Sequence, residues 1–164
     1  KKTIFFSKSK GKTVLYNNLY SNRYKGSGKF TLVDGVSGTI AHNDGLWQGW
    51  KYKDIDVSVD LEKVELISKV SMNFLESQKS WIFFPEKLII SFSIDGNKFH
   101  NETIVSIGPS IKNEIANRKI FSTDDINVSA RYVRIIAINQ KTCPEWHTGY
   151  GGESWVFSDE LIIE

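Results

Sequence analysis

Apolar and polar residues alternate with a period of two through most of the patterned stretches of the chain. Ile55, Val57, Val59 and Leu61 are separated by Asp56, Ser58 and Asp60. Val70, Met72 and Phe74 repeat this around Ser71 and Asn73, and Leu88, Ile90, Phe92 and Ile94 around Ile89, Ser91 and Ser93. Successive side chains of a strand point to opposite faces, so this spacing predicts strands that bury one side. The third run stops at Asp95-Gly96-Asn97. Asp-Gly supplies the positive φ that a tight hairpin turn requires. Residues 131–138 are β-rich on both faces, which predicts a central strand, and residues 155–163 read as a closing one. The only helical pattern spans about two turns over residues 111–118. Many short strands with Gly-rich connections argue for an all-β sandwich or jelly roll.

A length of 164 residues fits one domain with a core large enough to fold unaided. No internal repeat, linker or low-complexity tract divides it. Lys1 and Lys2 run straight into a β-like Thr3-Ile4-Phe5-Phe6, and strand-like segments stand at both ends. That suits a module excised from a longer protein, with termini that pair side by side. No apolar run approaches the roughly 20 residues of a membrane span. A net charge of +2 without a basic block lacks the electrostatic footprint of duplex binding. The single cysteine, Cys143, cannot form an internal disulfide and reads as a buried small hydrophobe.

Aromatic residues change the picture. They make up 13% of the chain, and the tryptophans lie beside Gly, Pro and His rather than inside strands. Two long loops hold most of them. One runs from Asp34-Gly35 through His42-Asn43-Asp44-Gly45 to Trp47-Gln48-Gly49-Trp50, the other from Cys143-Pro144-Glu145-Trp146-His147 through Gly149 and Tyr150 to Trp155. Long structured loops of this composition usually carry function.

Leu32-Val33-Asp34-Gly35, Trp47 to Trp50, Val59-Asp60-Leu61, Ser93 to Gly96 and Ala130 to Arg134, in that order, resemble the landmarks of coagulation-factor type C (discoidin) domains. The closing Cys143 to His147, Gly149-Tyr150-Gly151 and Trp155 to Glu160 resemble accessory domains of Bacteroidetes β-hexosaminidases (chitobiases), grouped with carbohydrate-binding module family 32. The resemblance implies an eight-stranded antiparallel β-sandwich with jelly-roll topology. It also implies binding of galactose- or N-acetylhexosamine-containing glycans for an attached glycoside hydrolase, in the periplasm, on the outer membrane or outside the cell.

One structural calcium is implied as well, held by Asp34, Thr39 and Glu160 with backbone carbonyls near Leu32 and Asp159. Calcium takes six to eight oxygens, and Val36 stands where many relatives place another carboxylate or amide.

Sugars offer an apolar C–H face and a hydroxyl edge, so their sites need an exposed aromatic platform with convergent polar groups. Trp47, Trp146, Tyr150 and Trp155 are the candidate platforms, and His42, Asn43, Asp44 and His147 the candidate polar partners. Arg23 and Tyr24 lie in another loop that can reach the same end. Trp50, before a strand, reads as a core plug, Trp81 as core or loop anchor, and His100 as exposed. Asp44, Asp54, Asp56, Glu145 and Glu153 form no convincing pair for glycoside hydrolysis, and no nucleophile elbow, phosphate loop or metalloprotease motif occurs. The expectation is therefore a monomeric, non-catalytic binding domain whose partners are a glycan and the catalytic domain of the same chain, not nucleic acid or membrane. A structural spacer or protein-interaction domain is the alternative.

Overall fold

A computed structural model describes residues 7–164; the β-like stretch at residues 3–6 lies outside them. The strands are β1 (Thr13–Tyr16), β2 (Gln48–Lys51), β3 (Ile55–Ile67), β4 (Val70–Glu76), β5 (Lys87–Ser93), β6 (His100–Ser106), β7 (Asn117–Ser122), β8 (Val128–Ala137) and β9 (Trp155–Ile163). They form two antiparallel sheets, ordered β1-β3-β8-β5-β6 and β2-β9-β4-β7. The described residues thus hold nine strands rather than eight, because four-residue segments such as β1 and β2 find partners at sheet edges.

The alternating runs become β3, β4 and β5, and residues 131–138 fall almost wholly within β8, the middle strand of its sheet. Their inward residues make the main core. Val57, Val59, Ile90 and Val133 from one sheet meet Met72, Phe74 and Leu161 from the other, with Trp50 and Leu32 closing it. Each such side chain removes apolar surface from water, the main favourable term in folding. Trp50 is buried as its position predicts, its Nε1 donating to the Asn18 carbonyl at 2.9 Å, and Cys143 is buried. His100 is exposed at the start of β6.

Two expectations change. Residues 111–116 form no helix, and residues 117–118 open β7 instead. The Gln78 side chain takes the place of a neighbouring strand here. Its Nε2 donates to the Ile111 carbonyl at 2.8 Å and its Oε1 accepts the Asn113 amide at 2.7 Å. Ile111 and Ile115 stay exposed, so no apolar helical face is buried to stabilise a helix. The second change is in β9, where alternation breaks. Asn73 pairs with Glu160 and Phe74 with Ser158, which leaves Asp159 as an extra residue in a β-bulge. Val156 faces the main core before the bulge, and Leu161 and Ile163 face it afterwards.

A smaller apolar cluster covers the outer face of the four-stranded sheet. Leu75 and Phe157, alternating with the core residues Phe74 and Val156, pack there with Trp47 and Ile82, and Tyr24 and Trp155 lie against them.

Candidate functional site

Long connections gather where β4 leads to β5, β6 to β7 and β8 to β9. Ile82 bridges both Ser77 and Trp155. His147 Nε2 donates to the Gln78 carbonyl at 2.7 Å, while His42 Nδ1 lies 3.4 Å from Ser80 Oγ. The segment before residue 28 is sewn onto β2, with the Ser21 amide donating to the Gly49 carbonyl at 2.8 Å and the Gly49 amide to that of Tyr24 at 3.0 Å.

This joins residues some twenty positions apart into one hollow of about 400 Å³, lined by Arg23, Tyr24, Lys25, His42 and Asn43. Tyr24 is its aromatic wall. Its ring centroid lies 5.1 Å from that of Trp155 and 4.7 Å from that of Phe157, and the Arg23 guanidinium stands 5.3 Å from it. His42 closes the side at 6.0 Å. An aromatic face fixed by two neighbours, with cationic and amide donors around it, suits a ligand that has an apolar face and a polar rim.

The proposed sugar residues divide. His42 and Asn43 line this hollow. Asp44 instead shapes the loop beneath them, accepting the Thr39 amide at 2.7 Å, the Thr39 hydroxyl at 2.9 Å and the Leu46 amide at 2.8 Å. Trp47 is no platform: its ring is 1% exposed, and its Nε1 donates to the Thr39 carbonyl at 2.9 Å. Trp155 is half-buried and acts as a buttress behind Tyr24.

Trp146, 38% exposed, lines a second hollow of about 210 Å³ with Lys79, Lys112, Asn113 and Glu114. His147 lines this hollow too, but turns its ring nitrogens inward. Its Nδ1 accepts the Gly149 amide at 2.9 Å while Nε2 donates to Gln78, so both ring nitrogens serve the loop and neither is left for a ligand. Tyr150 is 68% exposed and lines neither hollow. Trp81 is a half-exposed loop anchor that lines neither hollow, edge-on to His147 at 6.1 Å. Lys25 also lines the first hollow; with Arg23 and Lys29 it forms a local basic cluster that reads from the sequence as a solvated loop rather than as part of a site.

Among the carboxylates weighed for catalysis, Asp56 is held by both Nε and Nη2 of Arg134, Asp54 accepts the Asn139 amide, and Glu153 pairs with Lys51.

The residues suggested for calcium fit that ion only in part. Thr39 turns its hydroxyl to Asp44. Asp159, fully buried in the bulge, accepts Asn73 Nδ2 at 2.7 Å and the Gly38 amide at 2.5 Å. Burial pushes its pKa up to about 7. Glu160 accepts the Gly35 amide at 3.0 Å, and burial followed by the nearby charge of Asp34 pushes it up to about 8. Asp34 and Glu160 thus form a carboxylate pair that repels itself, the chemistry a cation relieves. Among the described residues no three His, Cys, Asp or Glu side chains converge as a metal cage. Further oxygens would have to be carbonyls, such as that of Leu32.

The family model of the F5/8 type C domain matches residues 17–156. No curated protein matches the chain. Among solved structures, it is similar to chitosan-binding module 1 of a chitosanase/glucanase from Paenibacillus sp. IK-5, with 15% identity, TM-score 0.56 and coverage of 98% of this chain and 99% of that one. A family 32 carbohydrate-binding module from Clostridium perfringens, in complex with GalNAc-β-1,3-galactose, shares 15% identity over 92% of each chain, TM-score 0.56. A Streptococcus pneumoniae fucose-binding module reaches TM-score 0.60 at 11% identity over 98% of each chain. At such identities these likenesses concern the fold, which is the sandwich described above. With the family model covering most of its length, the chain belongs to the F5/8 type C, or discoidin-like, domain family.

Proposed function

We propose that this domain is a non-catalytic carbohydrate-binding module whose ligand enters the hollow between Arg23, Tyr24, His42 and Asn43. The convergence of these side chains around a braced aromatic wall carries the reading. The C–H face of a sugar lies on Tyr24, and its hydroxyls bond to His42, Asn43 and the Arg23 guanidinium. The ligands of its structural neighbours, chitosan, GalNAc-β-1,3-galactose and fucose, support a sugar as the class.

Burying roughly 100 Å² at ~25 cal/mol per Å² gives about 2.5 kcal/mol. A few hydrogen bonds at ~1 kcal/mol each bring this to a millimolar to tens-of-micromolar site. Such a site works when tethered, by raising the local concentration of an attached enzyme on a polymeric glycan. In this reading the partner is a glycoside hydrolase of the β-hexosaminidase type, the glycan carries galactose or N-acetylhexosamine, and the setting is periplasmic, outer-membrane-associated or extracellular. A calcium ion between Asp34 and Glu160 would clamp the loop after residue 33 to β9.

The test is a glycan array, with and without calcium, on the wild type, on Arg23→Ala/His42→Ala and on Trp146→Ala. Retention lost in the first variant and kept in the second supports the assignment. Loss in the Trp146 variant alone moves the site to the second hollow, and no retention by the wild type leaves a spacer or protein-interaction domain.

A further inference from the structure

We infer that the hollow selects an anionic sugar, one bearing a carboxylate or a sulfate ester; this rests on the carbohydrate reading above. Its lining includes two permanent cations, Arg23 and Lys25, and no Asp or Glu. The ion pairs among the described residues engage Lys12, Lys51, Lys63, Arg131 and Arg134, none of which lines either hollow. The carboxylate nearest in the chain, Asp44, is already taken by Thr39 and Leu46. The second hollow has the same bias, with Lys79 and Lys112 against Glu114 alone. A chain of net charge only +2 therefore concentrates unpaired positive charge where its loops are concave.

A neutral hexose uses the guanidinium only as one more donor to its hydroxyls beside Asn43 and His42, and gains nothing from a second cation, Lys25, with no carboxylate in the lining. A carboxylate or sulfate edge is different, because the planar fork of guanidinium donors matches it. Here that fork is steadied by the Tyr24 ring it overlies, at 5.3 Å. A sugar stacked on Tyr24 would bring an acidic substituent on its rim against Arg23, with Lys25 adding attraction at longer range.

The test is an array of matched glycans in which each backbone is present in neutral, uronate and sulfated form, read at 50 and 200 mM NaCl. The expected result is a roughly five- to tenfold preference for at least one acidic form at low salt, shrinking at high salt. The uronate and sulfate arms identify which anion is meant. Arg23→Gln/Lys25→Gln removes the preference. Lys98→Gln, which removes one charge on the β5–β6 hairpin at the opposite end, leaves it unchanged. Equal retention of neutral and acidic forms overturns this inference while the carbohydrate reading stands. Retention of no glycan overturns both. A preference that survives in the Arg23/Lys25 variant shows that the charge acts from elsewhere, and overturns the assignment to this hollow.

Discussion

Replacing Gly38 with alanine tests how the loop bearing His42 and Asn43 is held. A Cβ built on Gly38 would fall 2.3 Å from Nε1, 2.4 Å from Cε2 and 2.9 Å from Cδ1 of Trp47. Real Cβ atoms do not approach that closely, so either the ring or the loop must move. Neither moves freely. The indole is packed with Leu75, Ile82 and Phe157, while the Gly38 amide donates to Asp159 and its carbonyl accepts from Arg118. Gly38 has no left-handed φ, so alanine brings no backbone penalty and the whole effect arises from the contact. Overpacking a filled site costs about 1–3 kcal/mol, and displacing the indole from the Thr39 carbonyl adds about 1 kcal/mol. The sum, about 2–4 kcal/mol, lowers Tm by roughly 5–15 °C for a domain of this size.

Urea and thermal unfolding of Gly38→Ala, Trp47→Leu and the double variant measure it. Trp47→Leu alone costs about 2–4 kcal/mol through the cavity it leaves, but it also makes room for the new methyl. The double variant is therefore expected to be less destabilised than the sum of the singles by about 1–3 kcal/mol. A Gly38→Ala protein within 0.5 kcal/mol of wild type, or strict additivity in the cycle, would refute the packing argument.

His147→Leu leaves the Gln78 carbonyl and the Gly149 amide without their buried partner and is expected to cost about 2–4 kcal/mol. Tyr150→Ala, at an exposed ring, stays within about 0.5 kcal/mol; urea melts that reverse this order would show the loop to be wrongly read. Arg134→Met leaves Asp56 half-buried without its bidentate partner and lowers stability at neutral pH by about 1–3 kcal/mol. Burial raises the Asp56 pKa, but Arg134 and Asn17 outweigh it and hold the carboxyl below its ordinary 3.8. The wild type therefore loses this contribution as pH falls through that depressed value, and the variant should show a shallower acid limb in pH-dependent melts. In chelator, Glu160 has the opposite sign. Its folded pKa of about 8 exceeds the ordinary 4.5, so the folded state keeps the proton more tightly, and stability falls as pH rises from 4.5 towards 8. Glu160→Gln reduces that slope, and calcium should reduce it too; an unchanged slope in Glu160→Gln would assign it to another group.

The readable parts of the fold were those whose burial is one-sided and long. β3, β5 and β8 alternate over most of their length because one face meets the core and the other is more open, while β4 alternates in residue type although both its faces are buried, its outward Ser71 and Asn73 being hydrogen-bonded to Ser122 and Asp159. Short edge strands give no such signal. β1 and β2 span four residues each, and β7 shows no alternation of burial, because an edge strand is fixed by its partner more than by its own sequence. The helix expected over residues 111–118 failed for a related reason. A single glutamine amide, far away in the chain, supplies the backbone partners that a short helix would have made internally. The bulge at Asp159 was equally hidden, since a run such as Val156 to Ile163, buried on both faces, contains no alternation for a bulge to interrupt.

The aromatic loops were half legible, and the glycines explain which half. Gly beside Trp reads as a sign of exposed function, yet several of these glycines are sockets. A Cβ on Gly38 would strike Trp47, one on Gly49 would strike Phe157 at 2.5 Å, and ones on Gly149 and Gly152 would strike Trp81 at 2.6 and 2.5 Å. Their missing side chains let rings pack directly on backbone and so rigidify loops with little other regular structure. The residues left facing solvent are then not the largest aromatics but what those aromatics brace. Phe157, lodged on Gly49, and Trp155 together hold Tyr24, and Tyr24 presents Arg23 and faces His42. No local pattern around Arg23 or His42 encodes this, because the connection runs through β2, where Gly49 bonds Tyr24 and Ser21 across a gap of more than twenty residues. Binding at this surface thus depends on burial beneath it, and a substitution at a socket glycine should weaken the ligand without touching it.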